Sequence, residues 1–221
     1  MTHDPRWGYQ RLDPRRYDRR RYGNPLRRLN LWCLERAVAS ALAGVPAGGL
    51  VLDAPCGTGV LTDALRARGL RVVGLDISAV MLTLARERSA VGVVRADLDR
   101  PPWRDGRFAA VVCNRFLMHL PPARRMQTLA TLARLADGPL IATVCHPYTT
   151  KSMTRALRRS IGWRVKESPR LTHAALAAEV SAAGLRLERV IRVLPLFSEV
   201  WVAVITRPAA TSYQPERGDR K

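Results

Sequence analysis

The 221-residue chain predicts an α/β fold, a Rossmann-like seven-stranded sheet, mostly parallel, with an antiparallel terminal hairpin in a three-layer αβα sandwich. Three observations predict it. Between Leu50 and Cys145, short apolar runs alternate with stretches of helical spacing. The first strand–helix junction is the glycine turn Gly57-Thr-Gly59. The last two apolar runs, Leu185–Leu194 and Glu199–Thr206, are joined only by Pro195–Ser198, too short a link for a crossover helix.

The elements follow in order. Residues 1–25 are rich in Arg, Tyr, Pro, Asp and Gly without periodicity, and read as an irregular arm. Leu26, Leu29, Trp32, Cys33, Val38 and Leu42 recur near helical spacing and predict an amphipathic helix, which Gly44, Pro46, Gly48 and Gly49 end. Leu50–Ala54 is the first strand, and a helix runs from Val60 to about Arg68, with Gly69 suited to close it. The strand Arg71–Asp76 leads through Ser78, a suitable N-cap, into a helix ending near Arg88. Val91–Ala96 and Phe108–Cys113 are strands separated by a loop with Pro101, Pro102, Asp105 and Gly106. A helix over Pro121–Leu135 tolerates Pro122 because the proline falls early, and Leu140–Cys145 is the fifth strand. Residues 147–170 are strongly basic and suggest a helical cap inserted before the helix Leu171–Ala183. The organisation expected is therefore an arm and lid helix over 1–45, one domain over 46–207 carrying that cap, and a disordered tail over 208–221.

Composition narrows the class. Lys+Arg is 37 against 18 Asp+Glu, a net charge of +19, and lysine occurs only at 151, 166 and 221. Arginine with abundant alanine partly reflects GC-rich coding, but the shortage of acids implies a surface that attracts anions, whether nucleic acid, acidic lipid or phosphorylated substrates. Cys33, Cys56, Cys113 and Cys145 lie far apart without a CxxC pair, so neither a zinc site nor a disulfide framework is expected. No apolar run is long enough to span a bilayer, and the charged start has no apolar signal stretch. A cytoplasmic protein is expected, with association at the inner membrane face left open.

Asp53 ends a buried strand, and Gly57 and Gly59 let backbone pass close to a ligand at a helix start. Asp76 ends the next strand, where an acid bonds ribose hydroxyls in nucleotide-binding βαβ units. Asp97 follows the third, where a carboxylate accepts from an adenine amino group. Each acid alone fits a turn or a cap equally well. Three at successive strand ends point to a nucleotide-like ligand. A nicotinamide site is disfavoured because its GxGxxG fingerprint requires glycine where Thr62 stands.

Val51-Leu-Asp-Ala-Pro-Cys-Gly-Thr-Gly59, Val73-Gly-Leu-Asp-Ile-Ser78, Val94-Arg-Ala-Asp-Leu98 and Phe108-Ala-Ala-Val-Val-Cys-Asn114 resemble the successive motifs of class I S-adenosylmethionine-dependent methyltransferases. The resemblance covers residues 48–145, and the closing hairpin extends it to about 207. Residues 101–108 and Asn114-Arg-Phe-Leu-Met-His-Leu120 resemble the small-molecule and lipid-type group that includes the ubiquinone and menaquinone enzymes. The resemblance implies S-adenosylmethionine as cofactor. Asp53, Ala54, Cys56, Gly57 and Gly59 would serve its methionyl and sugar part, and Asp76 with Ile77 its ribose. Met81, Asp97 and Leu98 would lie near its adenine, and Asn114 and Arg115 would border the sulfonium.

Methyl transfer from a sulfonium needs alignment and water exclusion, and a base only when the acceptor is protonated. His119 is the candidate base, though a helix-end histidine bonded to backbone reads as well; His146 has the same ambiguity. Tyr9, Tyr17, Tyr22 and Tyr148 are candidates to roof the pocket or simply to pack. Base-methylating signatures are missing: Asn114 is followed by Arg-Phe-Leu, and Pro55-Cys56 lies in the cofactor loop, where its thiol would be structural. The acceptor expected is a small or lipid-linked molecule, with an anionic group among the options. An RNA or DNA methyltransferase using the basic surface and a non-catalytic cofactor-binding module stay open, as does docking on anionic lipid through Leu26, Leu29 and Trp32.

Overall fold

The computed structural model describes residues 13–88, 92–149, 160, 170–195 and 197–208. Two helices, α1 (Pro14–Tyr22) and α2 (Pro25–Ala41), precede the sheet. Then follow β1 (Leu50–Asp53), α3 (Val60–Arg66), β2 (Arg71–Asp76), α4 (Ala79–Arg88), β3 (Gly92–Arg95) and β4 (Ala110–Cys113). A 3-10 turn at Leu117–His119 leads to α5 (Pro122–Leu135) and β5 (Leu140–Cys145). The remaining described elements are α6 (His173–Ala182), β6 (Arg186–Arg192) and β7 (Val200–Thr206).

The sheet has seven strands in the order β3-β2-β1-β4-β5-β7-β6. β1 to β5 are parallel, while β7 runs antiparallel to both β5 and β6, as the short link before it predicts. From β1 the chain winds outward through β2 to β3, then returns to place β4 on the other side of β1. Ligands of open α/β sheets bind at such a reversal, outside the carboxyl ends of the strands.

Side-chain alternation makes the two faces. Leu52, Val111, Leu140 and Ala142 point to one, packed with Leu129 and Leu132 of α5 and Leu176 and Val180 of α6. Val51, Val112, Ile141 and Val202 point to the other, against Leu34 and Val38 of α2 and Leu61 and Leu65 of α3. On the first face α5 and α6 are clamped by an ion pair. The buried Arg125 donates from Nε and Nη2 to the two carboxylate oxygens of Glu179 at 2.7 and 2.6 Å, and from Nη1 to the Leu120 carbonyl at 2.8 Å. The outer strand β6 is bulged between Leu187 and Arg189 and carries Arg186, Glu188 and Arg192 toward solvent.

One expectation needs correction: residues 14–22 are not irregular. Asp13 accepts from the Arg15 and Arg16 amides, Pro14 occupies the first turn, and Arg19, Arg20 and Arg21 sit in the last turn, where the helix dipole favours cations. α1 buries no residue, so it has no apolar period for a sequence reading to find. The fourth strand begins at Ala110 rather than Phe108, which makes only an isolated bridge to Ala136. Most of the cap expected over 147–170, and the tail from 209 onward, lie outside the described residues, as does Tyr9.

Candidate functional site

A cavity opens at the carboxyl ends of β1, β2, β3 and β4, roofed by α1. Its floor is the glycine turn. Gly57 and Gly59 have φ of +54° and +74°, in the left-handed region that side chains avoid. A Cβ on Gly57 would meet nothing within 4 Å, whereas one on Gly59 would press on the Ala85 backbone at 3.1 Å. Gly57 thus keeps backbone open toward the cavity, while Gly59 lets α3 approach α4.

The carboxylate of Asp76 is set by that turn. One oxygen accepts from the Gly57 amide and the other from the Ser78 amide, both at 2.8 Å. A carboxylate offers about four lone-pair sites, so these amide bonds leave room for a ligand hydroxyl. Burial raises the Asp76 pKa, opposed by amide hydrogen bonds from Ser78, Gly57 and Ile77. Asp53 is more deeply buried and accepts from Thr62 Oγ1 at 3.3 Å. Burial pushes its carboxyl up to about 7, with the nearby Asp76 charge adding to the effect. Burial first, then Asp53 and Asp76, raise the Cys56 thiol, so it stays protonated as a packing group under the turn.

Ile77, Met81, Ala96 and Leu98 give the β2–β3 end of the cavity apolar walls, with Asp97 at its edge. Past β4, Thr143 Oγ1 accepts from the Arg115 amide at 2.6 Å and donates to Asn114 Oδ1 at 3.2 Å. These bonds hold Arg115 at φ +56°, unusual for any residue but glycine. The exposed His119, on the 3-10 turn, completes that wall.

The structure therefore brings Asp53, Cys56, Gly57, Asp76, Ile77, Met81, Asp97, Leu98, Asn114, Arg115 and His119 to one cavity. Ala54 and Gly59 do not line it. Ala54 is fully buried, its amide donating to the Val112 carbonyl at 2.8 Å, and Gly59 turns the chain into α3. His146 and Tyr148 lie elsewhere, in a second cleft where both stack on Trp201, at 4.5 and 5.7 Å between ring centroids. Burial lowers the pKa of His146 there.

The roof contains the residues that sequence reasoning placed least well. Tyr17, Arg21 and Tyr22 of α1 face the cavity. The helix is tied down by Asp18, which accepts from Thr58 Oγ1 on the glycine turn at 2.8 Å and pairs with Arg88 at 3.0 Å. Arg15 pairs with Glu87 at the end of α4. The signals were the tyrosines themselves; nothing local marks Arg21 among its neighbouring arginines.

Residues 51–137 match the family described as a methyltransferase domain. The matched segment holds most of β1, all of β2 to β4 and α5, and the cofactor-binding candidates and His119 fall within it, whereas Tyr17 and Tyr22 of the roof precede it. The chain is 29% identical over 109 residues to a ubiquinone biosynthesis O-methyltransferase of Bordetella bronchiseptica, covering 46% of this chain and 45% of the relative. A ubiquinone biosynthesis O-methyltransferase of Xanthomonas axonopodis pv. citri is 28% identical over 160 residues, 66% of each chain. The chain thus spans about half to two thirds of the length of these curated relatives. Among solved structures, the magnesium protoporphyrin IX methyltransferase of Synechocystis PCC 6803 with bound SAH superposes with a TM-score of 0.68 at 22% identity, covering 88% of this chain and 95% of that one. The described chain accordingly shares the overall fold of that enzyme.

Proposed function

We propose that the chain is an S-adenosylmethionine-dependent methyltransferase acting on a small-molecule acceptor. The observation that carries this reading is the Asp76 carboxylate, aimed by the Gly57 and Ser78 amides at the mouth of a cavity with apolar walls. The residues present fit the cofactor. Asp76 would take the ribose hydroxyls, Met81 and Leu98 the faces of the adenine, Asp97 its amino group, and Asp53 with the Gly57 backbone the methionyl part. The cofactor supplies the activated methyl group. The chain's own task is to hold the acceptor against Asn114 and Arg115 under the roof of α1, keeping water out. His119, beside that end, would accept a proton from a hydroxyl acceptor. The relatives' names, ubiquinone and magnesium protoporphyrin enzymes, support a small, ring-bearing acceptor.

Titration of S-adenosylhomocysteine by calorimetry tests the site. Binding by the wild type, weakened at least tenfold in Asp76→Ala, is expected; equal affinity in the two proteins would remove Asp76 from the ribose and the reading with it.

A peripheral position on anionic membrane, and with it a lipid-linked acceptor, is the finer reading. Leu26, Leu29 and Trp32 of α2 are exposed, and Phe197 is exposed beside them in the β6–β7 link, where Ser198 Oγ donates to Asn30 Oδ1 at 3.3 Å. Arg27, Arg28 and Arg36 stand on the same helix, the last over the Trp32 ring at 4.9 Å. Apolar side chains among arginines suit the interface of an anionic bilayer. The nucleic-acid alternative has net charge alone in its favour.

A further inference from the structure

Arg115 is unusual in two independent ways. Its backbone is left-handed at φ +56°, a conformation costly outside glycine that clusters where function holds it. Its side chain carries a buried Nε with no hydrogen-bond partner, although the guanidinium lines the cavity. Among the described residues the leading electrostatic influences on Arg115 come from Arg21, Tyr22, Cys145 and Tyr17, none of them a carboxylate. Burial lowers its pKa and Arg21 lowers it further, the mark of a cation short of counter-charge. Asp18 of the roof accepts from Thr58 through Oδ1 and, though its Oδ2 has no hydrogen bond, forms an ion pair there with Arg88, while Arg21 lies over the Tyr17 ring at 5.6 Å. Arg115 and Arg21 thus line one end of a cavity walled by Tyr17, Tyr22 and Phe116, and among the described residues no carboxylate is paired with either guanidinium.

A desolvated, unpaired guanidinium is destabilising unless a ligand completes it. Its planar fork matches the two coplanar oxygens of a carboxylate, and the aromatic walls suit a ring attached to one. We infer that Arg115, assisted by Arg21, is an acceptor-recognition subsite for a carboxylate carried on a planar, ring-bearing methyl acceptor. The inference rests on the methyltransferase reading of the same cavity and adds the chemical class of its acceptor. The cofactor has a carboxylate of its own, but its methionyl part is assigned to Asp53 and the glycine turn on β1, one strand away from the β4 end where Arg115 stands. Arg115 acts here in binding and orientation; no bond is made or broken at it.

Calorimetry on the full chain separates these cases. S-Adenosylhomocysteine should bind Arg115→Gln and Arg21→Gln less than tenfold more weakly than the wild type. Benzoate titrated into the S-adenosylhomocysteine-loaded wild type should bind at least tenfold tighter than benzamide, its neutral isostere, and Arg115→Gln should abolish that preference. The unliganded Arg115→Gln protein should also melt several degrees higher than wild type, because an unpaired charge has been removed. Equal binding of benzoate and benzamide by the wild type, a preference that survives Arg115→Gln, or a lower melting temperature for the variant would each overturn the subsite. So would a tenfold loss of S-adenosylhomocysteine affinity in Arg115→Gln with 5′-methylthioadenosine binding intact, which would put the cofactor's carboxylate on Arg115. Failure of the wild type to bind S-adenosylhomocysteine at all would instead sink the methyltransferase reading, and the subsite with it.

Discussion

Asp53 shows how burial turns a strand-end acid into a proton store. Its carboxyl moves from 3.8 to about 7 in the folded chain. Between those values the native state holds a proton that the unfolded chain releases. The stability this contributes is fully present below about pH 4 and is lost as pH rises through 7. At about 1.4 kcal/mol per unit, the loss has an upper bound of about 4 kcal/mol. Asp53→Asn removes this titration. Urea unfolding at pH 5 and pH 8 should show the variant gaining stability over wild type at the higher pH; an equal difference at both would mean that Asp53 titrates normally. Asp53, Asp76 and the glycine turn were legible in the sequence because strand-end position and residue type determine their placement. The left-handed conformation of Arg115 was not, since no glycine or asparagine announces it and the Thr143 hydroxyl that holds it lies 28 residues away.

At the scale of elements, the helix pair α5 and α6 and the roof α1 depend on charge in different ways. Arg125 and Glu179 are both largely shielded from water, so removing one partner strands the other. Glu179→Ala should destabilise by about 3–5 kcal/mol, read from chemical denaturation, whereas an exposed pair would cost under about 1 kcal/mol. The roof is held more lightly. Asp18→Ala cuts the link from α1 to Thr58 and Arg88, and should speed dissociation of S-adenosylhomocysteine several-fold in stopped-flow while changing the melting temperature little. An unchanged off-rate would show that α1 does not gate the cavity. The β-strands could be read from their apolar runs and α2 from its period. α1 could not: Pro-Arg-Arg-Tyr-Asp-Arg-Arg-Arg-Tyr has no apolar face, and what docks it are contacts with α4 and the glycine turn, distant in sequence.

The whole molecule combines a net charge of +19 with an exposed apolar cluster on α2, and among the described residues no helix is long and apolar enough to cross a membrane. Sedimentation with phosphatidylglycerol-containing vesicles should therefore retain the chain, and with neutral vesicles should not. Leu29→Ser with Trp32→Ser should reduce retention on anionic vesicles several-fold, since the arginines alone give only screened attraction. Retention that ignores both lipid charge and these substitutions would dismiss the membrane reading. The topology, including the reversed last strand, could be read from link lengths, because a four-residue connection permits one geometry only. The acceptor could not be read, because its walls come from α1, β4 and the turn after it, brought together only by folding.

The outer strand β6 has a consequence for how the chain keeps company with itself. A free sheet edge is a template on which another copy can stack, and exposed strands of Val and Ile are the usual route to insoluble aggregates. β6 is irregular where it is bulged at Leu187–Arg189, and it studs its outer margin with Arg186, Glu188, Arg189 and Arg192. A second sheet pairing against that strand would have to desolvate exposed charged side chains. On that side the protein is thus guarded against runaway polymerisation even when crowded at high local concentration, as it would be when gathered onto a surface.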